Sequence, residues 1–209
     1  TRTPRDPIYV RNSIVIQEGT NFSTLYQQHN EKNASLVIHP SARRPDGTLA
    51  EDSVWFWPGD ACVEEGKLHL FLSEFIQADT GMWGFEWKGT WLATFALPEM
   101  EETSLVPLPQ GKASEVHLGH AVYPGEKFTY VYGAGDKKPH AARYKKGEPL
   151  KQWEYFNGEG WSTDPGDIAP ILDIHGSEQF SVFKDKEVFI LLTQMSDNPG
   201  QICSFTAKT

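Results

Sequence analysis

With 209 residues, 39% hydrophobic and 22% charged, the chain can bury one sizeable core, and its 18 glycines and 14 prolines fall well short of a low-complexity composition, which excludes disorder. Nineteen basic against 28 acidic residues give a net charge of −9 with no Lys/Arg stripe, a balance that repels a phosphate backbone and excludes nucleic acid as the expected partner. No apolar run approaches the roughly 20 residues of a membrane span, so no span is expected.

Helical periodicity is nearly absent, and Gly, Pro, Asn and Asp interrupt most stretches, so strands are expected throughout. In chain order they are predicted at residues 13–17, 35–39, 67–73, 90–97, 127–133, 188–194 and 201–205. Between the third and fourth lies a stretch around Trp83 and Trp87 with loop-like composition and no strand period. Residues 1–50 read as an N-terminal segment, available as a closing strand, and residues 51–209 as the repeating part.

The repeat has a period of about 60 residues. Residues 66–72 (Gly-Lys-Leu-His-Leu-Phe-Leu) align with 126–132 (Glu-Lys-Phe-Thr-Tyr-Val-Tyr) and with 186–192 (Lys-Glu-Val-Phe-Ile-Leu-Leu). Each copy follows an apolar strand, at 61–64, 121–123 and 179–183, and precedes another, at 90–97, 140–144 and 201–205, while 151–156 suits a fourth. Three or four strands per unit predict an all-β, five-bladed β-propeller, of which this chain supplies about three and a half blades, since five such units need roughly 300 residues. A β-sandwich with coincidental similarity is the rival. A partial propeller leaves open edges, so further blades, self-association or low stability are expected.

Just before each innermost predicted strand stands a polar residue close behind a glycine: Asp60 after Gly59, His120 after Gly119, Glu178 after Gly176. First strands of propeller blades line a common funnel, so two carboxylates and an imidazole would meet there, the minimum for cleaving a glycosidic bond. Taken singly, each also reads as a turn or strand-start residue. The sequence contains seven Trp. Trp57, Trp83 and Trp87 are the candidates for stacking on sugar faces, although Trp83 and Trp87 also suit the gap between blades.

The stretches 54–60 (Val-Trp-Phe-Trp-Pro-Gly-Asp), 67–74, 177–183 (Ser-Glu-Gln-Phe-Ser-Val-Phe) and 188–193 resemble the five-bladed β-propeller glycoside hydrolases of the arabinanase and invertase type, and their secreted bacterial relatives with domain-of-unknown-function labels. The resemblance spans about residues 50–209. It implies Asp60 as base or nucleophile, Glu178 as proton donor and a carbohydrate substrate in a secreted or periplasmic protein. These families often place an Asp where His120 stands, a departure at the residue that tunes the acid. A channel cation such as calcium is compatible with the resemblance, but no ligand set here demands one, and no cofactor is expected. A non-catalytic carbohydrate-binding propeller is the alternative, and a protein-interaction platform a third reading.

Other motifs carry less. His117 and His120 lack a visible third metal ligand, and Cys62 and Cys203 lack C-x-x-C spacing, so no metal site is predicted and their redox state stays open. The opening at Thr1 is polar and unlike a signal peptide, as in a mature or trimmed chain.

Overall fold

Tight turns with left-handed backbone set the hairpin register. Asp136 and Lys137 have φ of 48° and 60°, Glu65 and Gly66 of 50° and 74°, and Lys186 of 53°. Positive φ at the central turn residues matches the twist of the flanking strands. The computed structural model describes residues 10–29, 32–81, 83–198 and 200–208.

Strands dominate. A hairpin of β1 (Ile14–Glu18) and β2 (Asn21–Leu25) and a second of β3 (Gln27–His29) and β4 (Lys32–Ala34) precede three larger antiparallel sheets. The first contains β5 (Val54–Glu64), β6 (Lys67–Gln77), β7 (Phe85–Ala96) and β8 (Glu101–Leu108) in that order. After the short helix α1 (Gln110–Ser114), the second contains β9 (His117–Pro124), β10 (Phe128–Gly135), β11 (Lys138–Lys145), β12 (Trp153–Phe156) and β13 (Trp161–Ser162). The third contains β14 (Gly176–Asp185), β15 (Val188–Met195) and β16 (Ile202–Lys208). The strands of each large sheet follow one another in space as in sequence, and β6, β10 and β15 are the three aligned copies of the repeat. Among the described residues none of these sheets closes on itself.

The predicted strand at 35–39 does not form. Leu36 N–H donates to the Asn12 carbonyl, and the Asn12 amide accepts from Val37 N–H at 2.8 Å and donates to the Val37 carbonyl at 2.9 Å. One buried asparagine thus supplies the partners that a neighbouring strand would have given, and the apolar run stays irregular with Val37 1% exposed. The stretch around Trp83 divides: a turn held by Ala78 and Asp79 N–H on the Gly84 carbonyl ends at β7, which places Trp87 in a strand.

Two compact units result, Thr1–Pro58 with Ser73–Lys88, and Gly59–Leu72 with Gly89–Thr209. In the first, Ala34, Ile38 and Ala42 pack with Leu49 and Val54. In the second, Phe71, Leu92, Leu118, Val131, Tyr144 and Trp153 are among the residues of one core, and Ala121, Tyr132, Phe180 and Leu191 anchor another beneath the second and third sheets.

Candidate functional site

Asp60, His120 and Glu178 all belong to the second unit, each on the first strand of its sheet. They sit within strands rather than ahead of them. Pairing of β9 with β10 jumps from Ala121↔Tyr132 to Leu118↔Gly133, so Gly119 and His120 lie in a bulge. Pairing of β14 with β15 jumps from Gly176↔Met195 to Phe180↔Thr193, and Glu178 lies in that break. Bulges bend a strand and re-aim its side chains, which is why they recur beside functional sites.

Glycine makes the close approach of β5 to β9 feasible. A Cβ on Gly59 would overlap the Gly119 carbonyl oxygen, and Gly119, at φ 108°, would place one 2.9 Å from the Phe71 Cβ. Next to this contact the Asp60 carboxylate accepts from Ala61 N–H at 2.8 Å through Oδ1 and from Val122 N–H at 2.8 Å through Oδ2. It therefore fastens the first sheet's inner strand to the second's and orients itself two residues from His120. On its other side β9 packs against β14, and the His120 ring lies 6.3 Å from the ring of Phe180. Glu178, two residues before Phe180, is exposed to solvent.

His117 stacks edge-on against His120 with ring centroids 4.2 Å apart. Burial pushes His117 down to about 3, helped by His120 and Lys112, and burial alone pushes His120 down to about 4. Both imidazoles are neutral at physiological pH. The His120 Nε2 atom is buried with no hydrogen-bond partner among the described residues. Among those residues no three His, Cys, Asp or Glu side chains gather in a way that could hold a metal ion. Cys62 and Cys203 are free thiols; burial pushes the Cys62 thiol up to about 11, with its Sγ 3.7 Å from the Tyr144 hydroxyl.

The candidate tryptophans belong to the first unit. Trp57 is half-buried in a cluster with Phe75 at 4.6 Å, Phe85 at 4.9 Å and Trp55 at 5.8 Å. Trp83 is 77% exposed, its ring 6.1 Å from Phe85, and Trp87 is half-buried. Trp55, alternating with Trp57, is fully buried beneath the Arg11 guanidinium at 4.1 Å.

Sequence reasoning missed two buried polar groups. Glu64, 2% exposed, accepts from the Thr129 hydroxyl and from Gly147 N–H at 3.0 Å, tying the first sheet to the second. His39 accepts from Ser41 N–H through Nδ1, and its Nε2 lies 3.2 Å from Glu74 Oε1. Burial lowers the His39 pKa, and Glu74 opposes the shift. Neither group carries a local signal, because their partners are distant in sequence or are main-chain atoms.

Residues 1–209 match the family model described as domain of unknown function (DUF5005). The chain belongs to that family. No curated protein matches it. Its fold is similar to that of a "putative hydrolase" from Bacteroides ovatus ATCC 8483, with a TM-score of 0.68 and 21% identity over 86% of this chain and 49% of that one. This DUF5005 chain therefore spans about half the length of that structure. A GH43 endo-arabinanase from Bacillus licheniformis aligns over 96% of this chain and 93% of its own with 12% identity and a TM-score of 0.35. Among the described residues no helix is long and apolar enough to cross a membrane.

Proposed function

We propose that the three large sheets are blades of a five-bladed β-propeller and that this family hydrolyses glycosidic bonds where β5, β9 and β14 converge. The matched bulges carry this reading: two successive first strands break register at His120 and at Glu178, and Asp60 is bonded to the strand between. Glu178, open to solvent, is the group that reaches a substrate and gives its proton to the leaving glycosidic oxygen. Asp60 either takes a proton from the water that attacks the anomeric carbon or attacks that carbon itself, and in the second case water later cleaves the glycosyl–enzyme bond. His120, neutral and two residues along β9 from the Val122 amide that holds Asp60, tunes or orients the pair. Within the first unit, Trp57, Trp83 and Trp87 are the residues for stacking on sugar rings, with the exposed face of Trp83 the most available. The protein acts on carbohydrate outside the cytoplasm, in a secreted or periplasmic setting.

A second reading, a propeller that binds glycans without cleaving them, is favoured by one observation: both Asp60 oxygens are already committed to main-chain amides. Titration calorimetry and reducing-end release on one glycan panel separate the two. Turnover is the outcome expected from the first reading, and saturable binding of a glycan that stays intact supports the second.

A further inference from the structure

The turn between β12 and β13 holds the one Asn-Gly pair of the sequence, Asn157–Gly158. Asn157 Oδ1 accepts from two main-chain groups, Glu159 N–H at 3.1 Å and Gly160 N–H at 2.7 Å, and Asn157 N–H donates to the Gly160 carbonyl at 3.1 Å. Asn157, Gly158 and Glu159 are exposed to solvent. The Gly158 N–H has no hydrogen-bond partner among the described residues, and a Cβ on Gly158 would meet only the Ala169 methyl, at 3.8 Å. Two N–H groups on one amide oxygen polarise its carbon, and they stay in place for the oxyanion that forms when a nucleophile adds there. The neighbouring nucleophile is the Gly158 main-chain nitrogen, and Gly158 has no side chain to crowd its approach. By contrast, Asn12, Asn21, Asn30 and Asn33 precede Ser13, Phe22, Glu31 and Ala34, and Asn198 precedes Pro199, whose nitrogen carries no hydrogen.

We propose that Asn157–Gly158 is a self-modification site, at which the turn itself promotes loss of the side-chain amide through a succinimide. Hydroxide takes the Gly158 amide proton, and the nitrogen bonds to Cγ of Asn157. The carbonyl electron pair moves onto Oδ1, between the Glu159 and Gly160 N–H groups, and its return expels the side-chain nitrogen, which takes a proton from water and leaves as ammonia. Water then opens the five-membered ring at one of its two carbonyls. Breaking the new bond to Cγ gives aspartate, and breaking the original bond to the Asn157 main-chain carbon gives isoaspartate. Water is the only co-reactant, and either product adds one negative charge to a chain that stands at −9. Isoaspartate also lengthens the main chain by a methylene between Phe156 and Trp161, the pair that closes the hairpin. The inference does not depend on the proposed activity.

The test incubates the 209-residue chain and a synthetic peptide of its residues 153–162 side by side at mildly alkaline pH. Peptide mass mapping follows conversion of amide to acid at each asparagine, and isoaspartyl methyltransferase detects the isoaspartate. In the folded chain Asn157 is expected to convert before every other asparagine, at no less than about a third of the rate in the free peptide, because the two N–H donors offset the lost freedom of the turn. Isoaspartate should accompany aspartate, and Asn157→Gln, whose ring closure would need one more atom, should remove the earliest acidic form from ion exchange. A rate below that third would mean that the fold shields the turn, and earlier conversion at another asparagine would mean that the chain does not select Asn157. Either result overturns the inference, as does aspartate formed without isoaspartate, which would exclude the succinimide.

Discussion

Asp60 has two duties whose consequences separate experimentally. As an acceptor from Ala61 and Val122 it holds two strands together, and an amide in its place would set an N–H donor against one of those main-chain donors. Asp60→Asn is therefore expected to cost about 1–2 kcal/mol, read as a lower urea midpoint, besides any effect on turnover. Glu178→Gln, at an exposed residue, should leave stability within about 0.5 kcal/mol. The histidines set the acid response. His117 and His120 titrate in the folded chain at about 3 and 4, below the unfolded value of about 6.5, so below that pH the unfolded state binds more protons. Stability is then full above about pH 6.5 and lost as the pH falls, by about 1.4 kcal/mol per unit for each group. Lowering the pH from 7.0 to 5.5 should cost the wild-type chain about 2–3 kcal/mol more than it costs the His117→Gln/His120→Gln double variant, in urea titrations at the two pH values.

Among the elements, the contact between Gly59 and Gly119 makes a sharp demand on the sequence. Gly59→Ala drives a methyl into a carbonyl oxygen on a neighbouring strand, where neither backbone yields cheaply, and is expected to cost about 1–3 kcal/mol in chemical denaturation. The same substitution at Gly160, where nothing lies within 4 Å, serves as the control. The repeat was legible because β6, β10 and β15 are nearly continuous apolar runs between turn residues, the pattern of a strand covered on both faces. β8 was not, since Glu101, Glu102 and Pro107 argue against a strand, yet an outer edge tolerates all three. The run at 35–39 misled because its backbone is satisfied by Asn12, more than twenty residues away. Glycines adjoining Asp60 and His120 hinted at a common structural phase, but the bulges and the staple from Asp60 to Val122 depend on pairing that no local pattern encodes.

At the scale of the whole molecule, the third sheet carries apolar side chains exposed to water. Phe183, Leu192 and Ile202 are 44%, 41% and 71% exposed. Register places Phe183 beside Ile190 and Leu192 opposite Ser181, on the face away from Val182, Leu191 and Phe205, which pack in the core shared with the second sheet. A sheet with both faces apolar is one built to be covered on both, as an interior blade of a propeller is. That architecture is what would gather Asp60, His120 and Glu178 at a single funnel, so the proposed hydrolysis and the proposed propeller share one geometric premise. The most direct test is kcat/KM for reducing-end release from plant and bacterial glycans by the wild-type chain and by Glu178→Gln, with melting temperatures measured alongside. The account predicts turnover on at least one glycan and a loss of a hundredfold or more in the variant at unchanged melting temperature; turnover that survives Glu178→Gln, or binding of a glycan that is never cleaved, would contradict it.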